Sequence, residues 1–406
     1  MTKEPKFDWI DKNYWCKRVK TTIPPLDLTR QYGQIRVAVE TAVLDVLNSG
    51  RYIGGAAVAD FEEQFATYIG TTHCVGCNSG TDSLYLALRA LDIGPGDEVI
   101  TTPFTFFATT EVIDRVGATP VFVDIDESFN LDVNQLEAVI TPQTKAILPV
   151  HLFGRPVDMT RLMAIAEAHK LYVIEDCAQA TGAEWESQKV GSMGHIGCFS
   201  FFPTKNLGAC GDGGALTTAD SAIAARVKML KEHGMTDRYR HEAIGLNSRL
   251  DSLQAAILTI KLRYLEAWNE GRNEVANRYQ QLLRYRVELE LPQAPSRAKT
   301  VWNQYTVRLK DRGRSKSLTI RSERRDRLRA QLQDLGISSM VYYPIPLHLQ
   351  PVYQRLGYRL GQLPRAEQAA SEVLSLPMFP ELSFEEQQQI AYGLQDCLTM
   401  TEQLAS

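Results

Sequence analysis

From about residue 55 to residue 235 the chain alternates short apolar runs with amphipathic segments, and this alternation restricts the fold more than any other feature. The spacing predicts helices over Asp60 to Tyr68, Asp82 to Leu91, Ala108 to Val116 and Met159 to His169. Strands are predicted between them, at Cys74 to Cys77, Glu98 to Thr101, Val121 to Val123, Ala146 to Leu148 and Tyr172 to Glu175. Strands that alternate with helices imply an α/β fold with a largely parallel sheet covered on both faces. Ligands in such folds sit at the C-terminal ends of the strands.

A chain of 406 residues exceeds what one core organises, so two domains sharing a cleft are expected. An amphipathic helical stretch from Leu250 to about Leu283 reads as the connector leaving the first. Beyond it, a strand at Gln304 to Leu309, a helix near Asp326 to Leu335 and a final helix from Phe384 to Leu398 suggest a smaller α+β domain. The expected division is an N-terminal extension over 1–20, a large domain over 21–265 and a small domain over 266–406. Residues 310–329 collect many basic side chains, among them Arg312, Arg314, Lys316, Arg324, Arg325 and Arg327. Interspersed acids and the absence of aromatics favour a solvated loop and helix face over a phosphate or nucleic-acid patch.

Composition narrows the function classes. A formal net charge of −4 with 23% charged and 44% hydrophobic residues is that of an ordinary globular enzyme, so no nucleic-acid partner is expected. No apolar stretch reaches the roughly 18 residues a membrane span needs, and the first twenty residues lack a signal-peptide core; a cytoplasmic location and no membrane partner are expected. The seven cysteines are an odd number and mostly scattered, which argues for free thiols. Cys74 and Cys77 have redox or zinc spacing, but they lie in an apolar run and no second pair completes a metal set, so a buried strand is the expected reading and no metal is predicted.

The strongest chemical signal is the pair Val173-Ile-Glu-Asp176-Cys-Ala-Gln179 and Phe199-Ser200-Phe-Phe-Pro-Thr-Lys205-Asn-Leu-Gly208, followed by Gly211-Asp-Gly-Gly214. An acid at one strand end and a lysine beyond a later strand can meet across one cofactor ring. Pyridoxal phosphate requires both, an amine for its aldehyde and a carboxylate to keep its ring nitrogen protonated. Taken singly, Lys205 has the profile of a surface lysine and Asp176 that of a helix cap. Asn78-Ser79-Gly80-Thr81-Asp82 leads from a strand into a helix and offers backbone donors for a phosphate, or plain capping. Pro103-Phe-Thr-Phe106-Phe107-Ala-Thr109 offers aromatic faces at the next helix start.

These segments, with Leu246-Asn-Ser-Arg-Leu-Asp and Leu376-Pro-Met-Phe-Pro, resemble the DegT/DnrJ/EryC1/StrS family of sugar aminotransferases, all in the family's order, from about Ile23 to the final helix. The resemblance implies the fold type I architecture of pyridoxal-phosphate enzymes, a mostly parallel seven-stranded sheet with a smaller C-terminal α+β domain. It implies Lys205 as the Schiff-base lysine, Asp176 as the partner of the pyridine nitrogen and Gln179 as a hydrogen-bonder to the ring hydroxyl. Phe106 takes the stacking position, Gly80, Thr81 and Ser200 the phosphate, and Asn247 matches a residue supplied by the neighbouring subunit, so a homodimer with shared active sites is implied. Lysine rather than histidine at position 205 fits the transaminase branch of the family.

The same resemblance implies L-glutamate as amino donor and a nucleotide-diphosphate keto sugar as acceptor, linked to UDP or dTDP, with UDP-3-keto sugars and uronates as the best-matching branches. Arg249 either forks onto a carboxylate or diphosphate or pairs with Asp251 or Glu242. Tyr342, Tyr343 and His348 resemble a segment lining the sugar pocket, although related branches carry His where this chain has Tyr342. A keto-inositol or aromatic precursor as substrate, or a catalytically silent regulatory member, are the alternatives.

Overall fold

The computed structural model describes residues 22–310 and 317–403. The extension over 1–20 and the basic residues Arg312, Arg314 and Lys316 therefore lie outside the described residues. Seven strands form the main sheet: β1 (His73–Cys77), β2 (Glu98–Thr101), β3 (Thr119–Phe122), β4 (Thr144–Leu148), β5 (Tyr172–Asp176), β6 (Ile196–Ser200) and β7 (Gly214–Thr218). Their order is β1-β7-β6-β5-β4-β2-β3, parallel throughout except for β7, which runs antiparallel to both of its neighbours. The strands are buried almost end to end, as sheets covered on both faces must be. The expected largely parallel α/β architecture is thus observed.

Helices α1 (Leu28–Ser49), α2 (Ala56–Ile69), α3 (Gly80–Ala90), α4 (Ala108–Arg115), α5 (Met159–His169) and α6 (Ser221–Leu230) accompany this sheet. One packing detail inside it depends on glycine. A Cβ on Gly197, in β6, would lie 2.4 Å from the Cα of Gly191, which itself has φ +87°, so loop 189–194 can lie flat on the strand only because both residues lack side chains.

The predicted helix from Leu250 to Leu283 is two helices, α7 (Ser252–Leu262) and α8 (Leu265–Leu283). The apolar period runs through the two-residue break, so the pattern conceals it. The two faces serve different cores: Ala255, Leu258 and Leu262 pack with Phe61 and Phe65 of α2, whereas Val275, Ala276, Tyr279 and Leu283 join a second cluster with Tyr305, Val307, Leu328 and Leu394. That second core lies on an antiparallel sheet of β8 (Leu289–Glu290), β9 (Tyr305–Leu309) and β10 (Val373–Leu376), with α9 (Leu318–Asp334), α10 (Pro364–Glu372) and α11 (Phe384–Gln403). The helix expected near Asp326 begins at Leu318, one more departure from the periodicity.

The basic stretch is not simply a solvated face. Arg325 is buried and donates to the carbonyls of Ala370 and Val373 at the end of α10, where backbone acceptors would otherwise be orphaned. Arg321 pairs with Glu372 at 2.7 Å, and Arg329 reaches the Ser339 carbonyl. At the other end of α10, Asp124 accepts from the amides of Arg365 and Ala366, both at 2.9 Å. Arg321 and Arg325 therefore anchor α10 at its last turn.

The cysteines of the described residues are all free, and only Cys210 is exposed. Burial pushes the Cys77 thiol up to about 12 and raises Cys74 as well, as expected of a buried strand. No helix of the described residues is long and apolar enough to cross a membrane.

Arg272 of α8 is the main polar link into the second core. Its Nη1 donates to the carbonyls of Trp302 (3.1 Å), Asn303 (3.3 Å) and Met378 (3.1 Å), with no carboxylate bonded to it. Replacing it by Met keeps the stem and removes the donors. The expected cost is about 3 kcal/mol, read as a lowered urea midpoint of the cofactor-free protein. An unchanged midpoint would mean that water serves these carbonyls equally well.

Candidate active site

Asp176 is the last residue of β5, and β6, ending at Ser200, is the adjacent strand. The parallel pairing therefore brings both residues to one edge of the sheet. Asp176 is buried; its Oδ2 accepts from the Thr109 hydroxyl at 2.9 Å and its Oδ1 from the Ala178 amide at 3.1 Å. Thr109 in turn lies 3.1 Å from Thr105 Oγ1, which leaves Thr105 as donor in that pair. Burial raises the Asp176 carboxyl above its ordinary value, against the pull of these hydrogen bonds and of Lys205. Enclosure lowers the Lys205 ammonium to about 8, while Asp176 acts to raise it. An acid and an amine close enough to act on one another's charge, with their affinities for protons drawn together, mark a reactive site.

A phosphate cradle lies beside them. Ser79 caps α3 through the Asp82 amide, which leaves the amides of Gly80 and Thr81 without acceptors among the described residues at the positive end of the helix. Ser200 adjoins this helix start so closely that a Cβ on Gly80 would come within 2.6 Å of its Cβ. A side chain at position 80 would therefore clash with Ser200. Phe106, 58% exposed at the start of α4, presents an uncovered ring near the same strand ends, 6.4 Å and tilted from Tyr343. A carboxylate, an amine, an anion cradle and a free aromatic face together fit pyridoxal phosphate.

Gln179 is held between two partners. Its Oε1 accepts from the Phe153 amide at 2.8 Å and its Nε2 donates to the Tyr343 hydroxyl at 2.9 Å. The structure thus joins Tyr343, expected among sugar contacts, to a residue expected at the cofactor. Tyr342 is half-buried, with its ring edge-on to Tyr343 at 5.7 Å. His348 is a correction. Only 1% of it is exposed, and it bonds Glu367 at 3.1 Å beneath Phe122 and Tyr358, so it packs the interior and does not line an open pocket.

Asn247 is exposed, and its Oδ1 accepts from Arg249 Nε at 2.7 Å. Arg249 lies 3.7 Å from Glu232; neither Asp251 nor Glu242 is its ion partner, and Glu242 is taken by Arg240. Ser248 between them ties the segment to the phosphate cradle, accepting from the Asn78 amide and donating to Asp82.

Sequence reasoning assigned no role to Thr109 or His151. Thr109 had a signal in its place one turn beyond Thr105. His151 forms a trio with Glu175 and Cys177 at metal-ligand spacing. The Val157 amide donates to its Nδ1 at 3.1 Å, so Nε2 carries the proton and donates to Glu175 at 3.0 Å. Glu175 also accepts from the amides of Gly191, Met193 and Gly194. With its ligating atoms so engaged the trio is a structural clamp.

The chain is similar to known proteins along most of its length. Residues 34–395 match the sequence model of the DegT/DnrJ/EryC1/StrS aminotransferase family. A "pleiotropic regulatory protein" of Geobacillus stearothermophilus is 48% identical over 91% of this chain and 96% of its own. The UDP-N-acetyl-3-dehydro-alpha-D-glucosamine 3-aminotransferase of Acidithiobacillus ferrooxidans is 46% identical, again over 91% of this chain and 96% of its own. Among solved structures, S. venezuelae DesV in complex with a ketimine intermediate superposes with a TM-score of 0.87 at 42% identity, covering 92% of this chain and 98% of that one.

The raised carboxyl of Asp176 has a testable sign. A folded-state value above the unfolded one means that its ionisation opposes folding as pH rises through the folded value. Asp176→Asn is therefore expected to leave the cofactor-free protein as stable as the parent, or more so, at pH 7, while turnover falls by about 100-fold or more. Melting curves of the cofactor-free protein from pH 5 to 8, beside a turnover assay, check both halves. A marked loss of stability with turnover retained would contradict the assignment.

Proposed function

The chain belongs to the DegT/DnrJ/EryC1/StrS aminotransferase family, and from that membership we propose that it transfers the amino group of glutamate to a UDP- or dTDP-linked keto sugar, using Lys205 as its reactive amine. It is a pyridoxal-phosphate-dependent transaminase of nucleotide sugars. The observation that carries the residue assignment is the facing pair of Asp176 and Lys205 beside an anion cradle.

Pyridoxal phosphate, when bound, supplies an aldehyde that exchanges amines and a ring that accepts the electrons of a carbanion. The chain's own residues do the remainder. Asp176, fixed by Thr109 and the Ala178 amide, holds a proton on the ring nitrogen. The amides of Gly80 and Thr81 and the Ser200 hydroxyl would hold the phosphate, and Phe106 would offer its exposed ring to the cofactor. Gln179 has one amide hydrogen beyond its bond to Tyr343 and gives it to the ring hydroxyl. Lys205, its ammonium lowered to about 8, is neutral in a useful fraction near physiological pH and moves the proton at the donor's α-carbon, then returns it at the sugar carbon.

For the acceptor, the Acidithiobacillus relative supports a UDP-3-keto sugar. The regulatory name of the Geobacillus relative favours a silent member, but the paired acid and amine are what turnover requires. Tyr342 and Tyr343 line the sugar side in this reading, and free cysteines suit a cytoplasmic setting.

A homodimer with shared sites is part of the proposal. Val37, Leu44, Leu47, Tyr52 and Ile53 are apolar and exposed, Val37 at 78%, and Ile53 bridges to Asp251 close to Asn247 and Arg249. An apolar face next to a candidate site residue fits a subunit contact that brings Asn247 to the neighbouring site.

Two experiments test these assignments. With pyridoxal phosphate the protein is expected to develop a yellow absorbance band that L-glutamate bleaches and that Lys205→Ala lacks. A band unmoved by glutamate would refute the donor, and a band persisting in Lys205→Ala would refute the lysine. For shared sites, Lys205→Ala and Asn247→Ala subunits, each weakly active alone, are expected to regain about a quarter of parental activity after random re-pairing, since half of the dimers then carry one intact site. Activity no greater than the mean of the two variants would show that each subunit works alone.

A further inference from the structure

The turn bearing Lys205 is held by few bonds. Within it, the Lys205 amide donates to the Phe202 carbonyl at 2.9 Å, and among the described residues only the charge of Asp176 acts to raise the Lys205 ammonium. Where the amine points is therefore decided by what fixes the residues on either side of it. Both sides are tied to one side chain from a distant segment. Asn303 Nδ2 donates to Asn206 Oδ1 at 2.8 Å and lies 3.4 Å from the Thr204 carbonyl.

Asn206 passes the contact on. Its Nδ2 donates to Asn269 Oδ1 at 2.7 Å and to the Val301 carbonyl at 2.9 Å, and Asn269 donates to the Thr181 carbonyl at 3.1 Å. All three asparagines are buried, so water does not compete for these bonds. The amide orientations follow from the partners: flipping Asn206 would set its oxygen against two acceptors, and flipping Asn303 would set its oxygen against the Thr204 carbonyl.

Asn303 is itself fixed from the second core. Arg272 Nη1 holds the carbonyls of Trp302 and Asn303 together with that of Met378. Met378 belongs to the Leu376-Pro-Met-Phe-Pro motif, whose Leu376, Met378 and Phe379 pack in the second core. A continuous set of bonds thus runs from that motif through Arg272, Asn303 and Asn206 to the two neighbours of Lys205.

We propose that Asn303 is a positioning residue for Lys205, fixing the direction of its amine by gripping Thr204 and Asn206 from a segment anchored through Arg272 to the Met378 chain. The inference rests on Lys205 being the reactive amine. With the grip removed, the turn loosens and the amine meets more water.

The test uses the full-length protein freed of cofactor. Trace acetylation with acetic anhydride from pH 6 to 11, read at Lys205 by mass spectrometry, gives the midpoint at which the amine becomes nucleophilic. The parent is expected near about 8. Asn303→Ala is expected to move the midpoint up by about one pH unit, towards ordinary lysine. Asn303→Ser, whose hydroxyl can serve Asn206 or Thr204 but not both, should fall between. A merely structural role would lower the melting temperature and leave the midpoint in place, and a folded Asn303→Ala protein with the parental midpoint overturns the proposal. Should Asn303→Ala not fold, a parental midpoint in Asn303→Ser does the same. A parental Lys205 that titrates like the surface lysines would instead overturn the reading of Lys205 itself, and the proposal with it.

Discussion

Burying a carboxylate and an amine near each other, without letting them neutralise one another in a direct ion pair, is the constraint on which this site depends. Asp176 takes two hydrogen bonds, from Thr109 and Ala178, whereas among the described residues Lys205 feels only the charge of Asp176. Burial acts on them in opposite directions, raising the acid and lowering the base. Either group alone would be an unfavourable feature of a folded core. Together, at the end of β5 and beyond β6, they are the pair that the proposed cofactor would use, through its ring nitrogen and its aldehyde.

Neighbouring acids show how the strand sorts structure from chemistry. Glu175 and Asp176 are consecutive on β5, so their side chains leave opposite faces of the sheet. Glu175 meets three loop amides and the proton of His151, and so holds both loop 189–194 and His151 on the strand. Asp176 faces the site and keeps acceptor capacity in reserve. The alternation of a β-strand thus gives one acid to the scaffold and the next to the ligand.

Much of this was legible in the sequence because strand–helix alternation leaves a periodic trace and the cofactor residues lie in short, ordered motifs. Asp176, Lys205, Gly80 and Phe106 fall where those motifs put them relative to the strand ends. The break between α7 and α8 was not legible, since Arg263 and Tyr264 interrupt the backbone without interrupting the apolar period. His348 misled because motif position says nothing of burial; only the packing of Phe122 and Tyr358 around it shows that it faces inward. Asn303 left no trace at all. Its role arises from contacts with residues about a hundred positions away, which no local pattern encodes.

Arg249 bears on the choice between neutral and acidic sugars. Its charge already has a partner in Glu232 at 3.7 Å, and its Nε is engaged by Asn247 at 2.7 Å. A carboxylate on the sugar would therefore exchange one anion for another at this guanidinium, with both groups partly solvated, and such an exchange contributes little net energy. Discrimination for a uronate would have to come from geometry, a forked approach that Glu232 does not make at 3.7 Å through Nε. A neutral sugar leaves the Glu232 and Asn247 contacts intact, so Arg249 would then act on the acceptor only by holding Asn247, the residue we assign to the neighbouring subunit's site. On this account the acidity of the sugar and the sharing of sites between subunits are linked through one side chain.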